Sequence, residues 1–331
     1  MRLLWKLDVK KRMKNKYVFT AVLLCVLTVL SLGIMQFAKG SQRQENETVI
    51  VTSFYPIYIA TLNLTDGIKN VRVESLTPPA TGCLHDYQLS AKDMKLLSEA
   101  DAFVINGAGM ESFLEDVMKQ FPDLQIITSS DHIELLDSLP SEHTHEEDRN
   151  HEHGEEHEHE HEHGEYNAHI WMDMDRYSVQ LDNIKEGLIH VDAENAITYE
   201  NNDSIYKEKI NSLKKEAEAL SQQPNKIIVF HAAFAYFADM LHYTIQESID
   251  MDENASLSAA QIGRVIDWVK EDNVQMLFAE ERYGVKLGEA VAKETNGQVL
   301  FLDTLVDGAD NKDAYLDGMR NNLSLLKEVL R

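Results

Sequence analysis

Cysteine is nearly absent from this sequence, which has only two among its 331 residues. Cys25 lies in an apolar N-terminal segment and Cys83 lies in the body of the chain, so the body can form no internal disulfide. The chain must therefore be stabilised by its own core. Its 44% hydrophobic residues are enough for that, and the length predicts about two domains of ordinary size.

Positive charge is also scarce, with 31 Lys and Arg residues against 56 Asp and Glu residues and a net charge of −25. The exception is the stretch 1–16, which holds seven basic residues and one acidic residue. An acidic body repels phosphates, so we exclude nucleic acid as a partner. Such a charge suits a protein that handles cations.

Charged residues are missing altogether from Tyr17 to Ala38, a long apolar run behind the basic stretch. This pattern predicts a signal sequence or a single membrane anchor. The preceding positive charges place the N-terminus in the cytoplasm and the body outside it. Cys25 lacks the small preceding residue of a lipoprotein cleavage site, whereas Ala38-Lys39-Gly40 would suit a signal peptidase. Cleavage and anchoring both remain open.

Apolar residues are nearly absent from residues 141–166, where histidine alternates with glutamate. Such a segment cannot build a packed core, and we predict a disordered loop that gathers divalent metal weakly. The two HExxH matches in it arise from the alternation and lack the helix that a zinc protease needs. An inert solvating linker is the alternative. The candidate auxiliary ligands are His143, His145, His151, His153, His157, His159, His161 and His163.

Short apolar strands alternate with helices on both sides of this loop, which predicts an α/β fold with mainly parallel sheets. Strands are predicted over 49–54, 71–76, 102–107, 125–128, 226–230, 243–247, 276–279 and 298–302. Ser90 with Asp93, and Ser258, are predicted helix N-caps. We predict two α/β lobes joined by one long helix, over about 193–221 within the segment 175–222. Helices are also predicted over 111–120 and 285–294. The domains are then 1–48 (leader and tether), 49–174, the linking segment 175–222, and 223–331.

Four ligand-capable residues occupy comparable places in the two halves: His85, His169, His231 and Asp303. His85 follows the second strand, His231 and Asp303 end later strands, and His169 follows the histidine-rich loop. Ligands of parallel sheets bind at the carboxyl ends of the strands, so we expect these groups to converge in the cleft between the lobes. Three imidazoles and one carboxylate favour Zn²⁺ over Mg²⁺ or Ca²⁺, and Mn²⁺ less strongly. Glu280 is the alternative fourth ligand.

Three motifs together resemble the metal-binding substrate-binding proteins of bacterial ABC transporters, in their zinc and manganese group. They are Pro78-Pro79 leading to His85-Asp86-Tyr87, then Asn167 to Asp173, then Phe230 to Phe237. The resemblance runs from about Val49 to Arg331 and includes the histidine-rich insertion. It implies a monomer that binds metal between its lobes through His85, His169, His231 and an acidic residue near Asp303, and delivers the ion to a membrane permease.

The expected function is therefore extracytoplasmic zinc capture for an ABC permease, without catalysis. One alternative is a surface metal buffer or adhesin in which the histidine-rich loop is the working part. A second is a zinc hydrolase, with the three histidines as ligands and Glu280 as general base. The sequence contains no oxyanion signature that would support hydrolysis.

Overall fold

The computed structural model describes residues 47–78, 84, 87–139, 166–221, 225–249 and 258–330, with residues 281–287 described by their backbone alone. The leader, His85, Cys83 and the histidine-rich loop up to residue 165 lie outside this part of the chain. Both sheets belong to one compact unit, Thr48–Arg331, and Glu47 is the only described residue of the other unit, Met1–Glu47. No helix in the described part of the chain has the length and apolar character of a membrane span.

The first half contains four parallel strands in the order β2-β1-β3-β4. They are β1 (Thr48–Thr52), β2 (Val71–Ser75), β3 (Ala102–Ile105) and β4 (Gln125–Thr128). Helices α1 (Tyr55–Leu64), α2 (Ala91–Ser98) and α3 (Leu114–Gln120) lie between them in the chain. Strand β3 is buried along its whole length, as expected for a parallel strand with both faces covered.

The second half repeats the arrangement, with the strand order β6-β5-β7-β8. Its strands are β5 (Lys226–Val229), β6 (Thr244–Ser248), β7 (Met276–Ala279) and β8 (Gln298–Phe301). Its helices are α6 (Phe234–Met240), α7 (Ala259–Glu271), α8 (Glu281–Glu294) and α9 (Ala314–Val329). All six strand pairs of the two sheets are parallel. The predicted two-lobe α/β fold is confirmed.

Two helices connect the halves: α4 (Met174–Val191) and α5 (Ala196–Leu220). Helix α5 has 25 residues and is therefore about 37 Å long at 1.5 Å per residue. It packs against α4, against α1 of the first half and against α9 of the second half. One hydrophobic core runs through both halves and these connecting helices, and a smaller cluster covers the other face of the second sheet.

Several predicted boundaries need correction. Helix α8 begins at Glu281 instead of the predicted Val285, and α3 begins at Leu114 instead of Glu111. Helix α5 is shorter than the predicted span 193–221, because a 3-10 turn over Ala193–Asn195 precedes it. Tyr166, the last residue of the predicted loop, forms an isolated antiparallel bridge with Asp137.

Candidate metal centre

His231 and Glu280 lie at the carboxyl ends of neighbouring strands. His231 follows β5 after Phe230, and Glu280 comes directly after β7. Because β5 and β7 pair in parallel, the two side chains leave the same edge of the sheet. The His231 Nδ1 atom lies 2.5 Å from the Glu280 Oε1 atom, and Glu280 is buried. A carboxylate at Nδ1 holds the imidazole ring with its Nε2 atom directed elsewhere.

His169 stands at the start of the 3-10 turn Ile170–Met172, in the segment that re-enters the structure after the histidine-rich loop. Its side chain is buried, with 4% exposure. The Asn167 Oδ1 atom lies 2.9 Å from the His169 Nδ1 atom and also accepts the His169 backbone N–H at 3.0 Å. His169 is therefore held through Nδ1, in the same way as His231.

The two histidines meet where the halves of the molecule touch. Their ring centroids are 5.0 Å apart and the rings are nearly perpendicular, at 79°. Trp171 packs beside His169 and edge-on to Phe54, with centroid separations of 5.3 Å and 5.1 Å. The structure thus brings these two candidate residues close together.

Asp303 lies on the loop that follows β8, and its side chain is exposed. The Asp303 Oδ1 atom accepts the backbone N–H of Leu305 at 2.7 Å. The side chain of Asn322 in α9 accepts the backbone N–H of Asp303 and donates to the Asp303 carbonyl. The neighbouring carbonyl of Thr304 accepts the Trp171 indole N–H at 2.8 Å. The Asp303 segment is thereby tied to the His169 segment.

The loop that follows β8 is acidic and is hydrogen-bonded to α1. The Tyr55 hydroxyl donates to the Ala309 carbonyl at 2.9 Å. Burial, followed by the negative charges of Asp303, Asp307 and Asp310, raises the pKa of Tyr55 to about 12. The phenol therefore stays neutral, and the nearby carboxylates supply a negative potential that attracts cations.

Within the described part of the chain, no three His, Cys, Asp or Glu side chains are grouped closely enough to hold a metal ion. His85, the remaining candidate histidine, lies outside that part, as do the eight histidines of the loop. Sequence reasoning assigned no role to Asn167 and offered Glu280 only as an alternative fourth ligand or a general base. The structure places Asn167 against His169 and Glu280 against His231. The position of Glu280 at a strand end was the available signal for the second.

The model of the family described as ZnuA, zinc-uptake complex component A, periplasmic, matches residues 50–329. The chain belongs to this family. Membership in the ZnuA family confirms the resemblance inferred from the three sequence motifs, and it extends across both lobes.

Individual relatives agree with the ZnuA assignment. The zinc-binding protein AdcA of Streptococcus pyogenes serotype M3 is 31% identical over 297 residues, which cover 86% of this chain and 56% of that protein. The high-affinity zinc uptake system protein ZnuA of Bacillus subtilis is 27% identical over 315 residues, which cover 92% of this chain and 95% of that protein. The chain thus spans little more than half the length of the streptococcal relatives.

The fold is also found in a solved relative. The crystal structure of Zn(II)-bound AdcA from Streptococcus pneumoniae superposes with a TM-score of 0.69 at 25% identity. The alignment covers 86% of this chain and 57% of that one. The ZnuA family is a family of metal-binding transport proteins and is not an enzyme family.

Proposed function

We propose that this protein binds Zn²⁺ between its two lobes and delivers the ion to an ABC permease. The observation that carries the proposal is the 5.0 Å approach of the His169 and His231 rings, one from each half. His85 and Asp303 complete the proposed ligand set. The supporting comparison is membership in a zinc-uptake family.

The donor chemistry favours zinc over the alternatives. Neutral imidazole nitrogen is a good ligand for Zn²⁺, and Mg²⁺ and Ca²⁺ require oxygen shells. A set of three imidazoles and one carboxylate also has fewer oxygen donors than Mn²⁺ prefers. Glu280 fits the role of an orienting carboxylate better than that of the fourth ligand, because its Oε1 atom contacts the His231 Nδ1 atom.

The remaining expectations form part of the same proposal. The protein works outside the cytoplasm as a monomer, and its leader, residues 1–48, is either cleaved or kept as an anchor. The eight loop histidines bind extra metal weakly. No catalytic step is included, since the function requires only capture and release.

Isothermal titration of ZnCl₂ into the full chain in mild detergent tests whether zinc binds in the cleft between the lobes. We expect one tight site in the wild type and weaker binding of MnCl₂. His231→Ala should weaken tight binding by more than about 100-fold, because loss of an outer partner alone typically costs roughly 10–100-fold. His132→Ala removes an exposed histidine and is the matched control. Wild-type affinity in His231→Ala would refute the site.

Deletion of residues 142–165 separates this proposal from the metal-buffer or adhesin alternative. We expect the tight site to survive and the weak additional sites to disappear. Loss of the tight site with the loop would instead support the alternative. Zinc-dependent turnover of esters or peptides by the full chain would support the hydrolase alternative, with Glu280 as its base.

A further inference from the structure

The side-chain amide of Asn167 contacts His169 through its oxygen and the carbonyl of Ala232, the residue after His231, through its nitrogen. We propose that Asn167 is a positioning residue that keeps the proton of His169 on Nδ1 and thereby presents the Nε2 lone pair to the metal. The tautomer is a property of the metal-free protein. The consequence for zinc binding rests on the proposed function.

The orientation of the Asn167 amide follows from two backbone groups whose roles are unambiguous. Its Oδ1 atom faces the backbone N–H of His169 at 3.0 Å, and only an oxygen can accept there. Its Nδ2 atom faces the carbonyl of Ala232 at 2.7 Å, and only a nitrogen can donate there. Exchanging the two ends would place donor against donor and acceptor against acceptor.

The tautomer of His169 follows from this orientation. The same Oδ1 atom lies 2.9 Å from the His169 Nδ1 atom. An oxygen acceptor at that distance requires a hydrogen on Nδ1, because two lone pairs would otherwise face each other. A neutral imidazole that is protonated on Nδ1 carries its lone pair on Nε2, and the partner of one ring nitrogen thus selects the ligand nitrogen.

Asn167 is itself held by the second half of the molecule. Its Nδ2 atom donates to Ala232, the residue that follows His231. Its backbone carbonyl accepts the Tyr236 hydroxyl of α6 at 2.7 Å, and that hydroxyl accepts the backbone N–H of Leu136. Asn167 is only 4% exposed. The orientation of His169 in the first half is therefore set by contacts that reach across to the segment of His231.

The test uses the metal-free full chain in mild detergent, with histidine labelled with ¹⁵N. Two-bond ¹⁵N–¹H correlation spectra at slightly alkaline pH distinguish the two neutral tautomers, and His169→Gln identifies the signals of His169. We expect the wild type to carry the proton on Nδ1. Asn167→Ala should shift His169 towards the Nε2–H form, and Asn167→Asp, which keeps an oxygen acceptor, should retain the Nδ1–H form.

Zinc titration of the same variants gives the second readout. Asn167→Ala should bind ZnCl₂ about 10–100-fold more weakly than the wild type, the usual effect of removing an outer partner of a metal ligand. Asn167→Asp should lose less zinc affinity than Asn167→Ala. Asn202→Ala is the matched control, because Asn202 also donates to two carbonyls, those of Leu64 and Asp66, away from the histidines.

Two results would overturn the proposal: an Nε2–H tautomer of His169 in the wild type, or an unchanged tautomer in Asn167→Ala. The wild-type spectrum remains decisive even if Asn167→Ala does not fold. The spectra also need no zinc. Failure of the wild type to bind zinc would therefore refute the proposed function and leave the tautomer result standing.

Discussion

Both described histidines of the candidate site are held at Nδ1 by an oxygen atom. For His169 the oxygen belongs to Asn167, and for His231 it belongs to Glu280. The side chain of Asn167 is neutral, and an ionised Glu280 would add negative charge next to its imidazole. The two rings are therefore oriented alike but have different electrostatic surroundings. Such outer partners fix the ring orientation and the ligand atom before any metal arrives.

A second buried carboxylate is linked to the His169 segment through Asn106. Glu111 is 6% exposed, and its two carboxylate oxygens accept the backbone N–H groups of Asn106 and Gly107 at 2.8 Å and 3.0 Å. The Asn106 side chain in turn donates to the carbonyl of Ala168, next to His169. Burial raises the pKa of Glu111, although the backbone hydrogen bonds act in the opposite direction.

Glu111 makes stability depend on pH. Because its folded-state pKa lies above the ordinary value of 4.5, its contribution to folding is complete below that value and is lost as the pH rises through the folded-state pKa. The free energy of unfolding of the wild type, relative to Glu111→Gln, should therefore fall as the pH is raised from below 4.5. Urea unfolding at a series of pH values measures this difference, and a constant difference would contradict the expectation.

Capping residues define several of the helices, and the prediction for α2 is confirmed. The Ser90 Oγ atom accepts the backbone N–H of Asp93, and the Asp93 carboxylate accepts that of Ser90. The Tyr87 hydroxyl also donates to the same carboxylate. This reciprocal arrangement satisfies two backbone donors at the start of the helix. The predicted cap at Ser258 is confirmed in the same form at α7.

Ser90→Ala should lower the free energy of unfolding by about 1 kcal/mol, within a typical range of roughly 0.5–2 kcal/mol for a lost N-cap. Denaturant unfolding monitored by circular dichroism measures the change. Ser98→Ala is the control in the same helix, because its exposed hydroxyl only donates to the Lys95 carbonyl near the helix end. Equal effects of the two substitutions would contradict a specific role for the cap.

The two lobes are joined by more than the long helix. Besides the bonds of Asn167 and Trp171, the Asn63 side chain of α1 donates to the Lys312 carbonyl at 2.8 Å. The Tyr58 hydroxyl donates to Asp310 on the same loop at 3.1 Å. A shared core and these polar ties resist wide separation of the lobes. Metal release is then expected to involve a small local shift.

Metal binding across the junction should stabilise the whole molecule. A ligand that binds only the folded state adds about 2.7 kcal/mol at a free concentration 100 times its dissociation constant. Thermal unfolding in zinc buffers should therefore show a higher midpoint, which a chelator reverses. His132→Ala should retain the shift and His169→Ala should lose it. An equal rise of the unfolding midpoint in His169→Ala would show that the stabilising ion binds at another site.

The sequence by itself determined the order and type of the elements and the family. Short buried strands, capped helices and motif residues are local signals, because hydrophobic period and cap chemistry act within a few residues. The sequence also predicted that His169 and His231 approach each other, but only the tertiary structure decided which residues hold them. The bonds from Asn167 to Ala232 and from His231 to Glu280 join residues 65 and 49 positions apart. Such contacts depend on strand order and lobe packing, which no local pattern encodes.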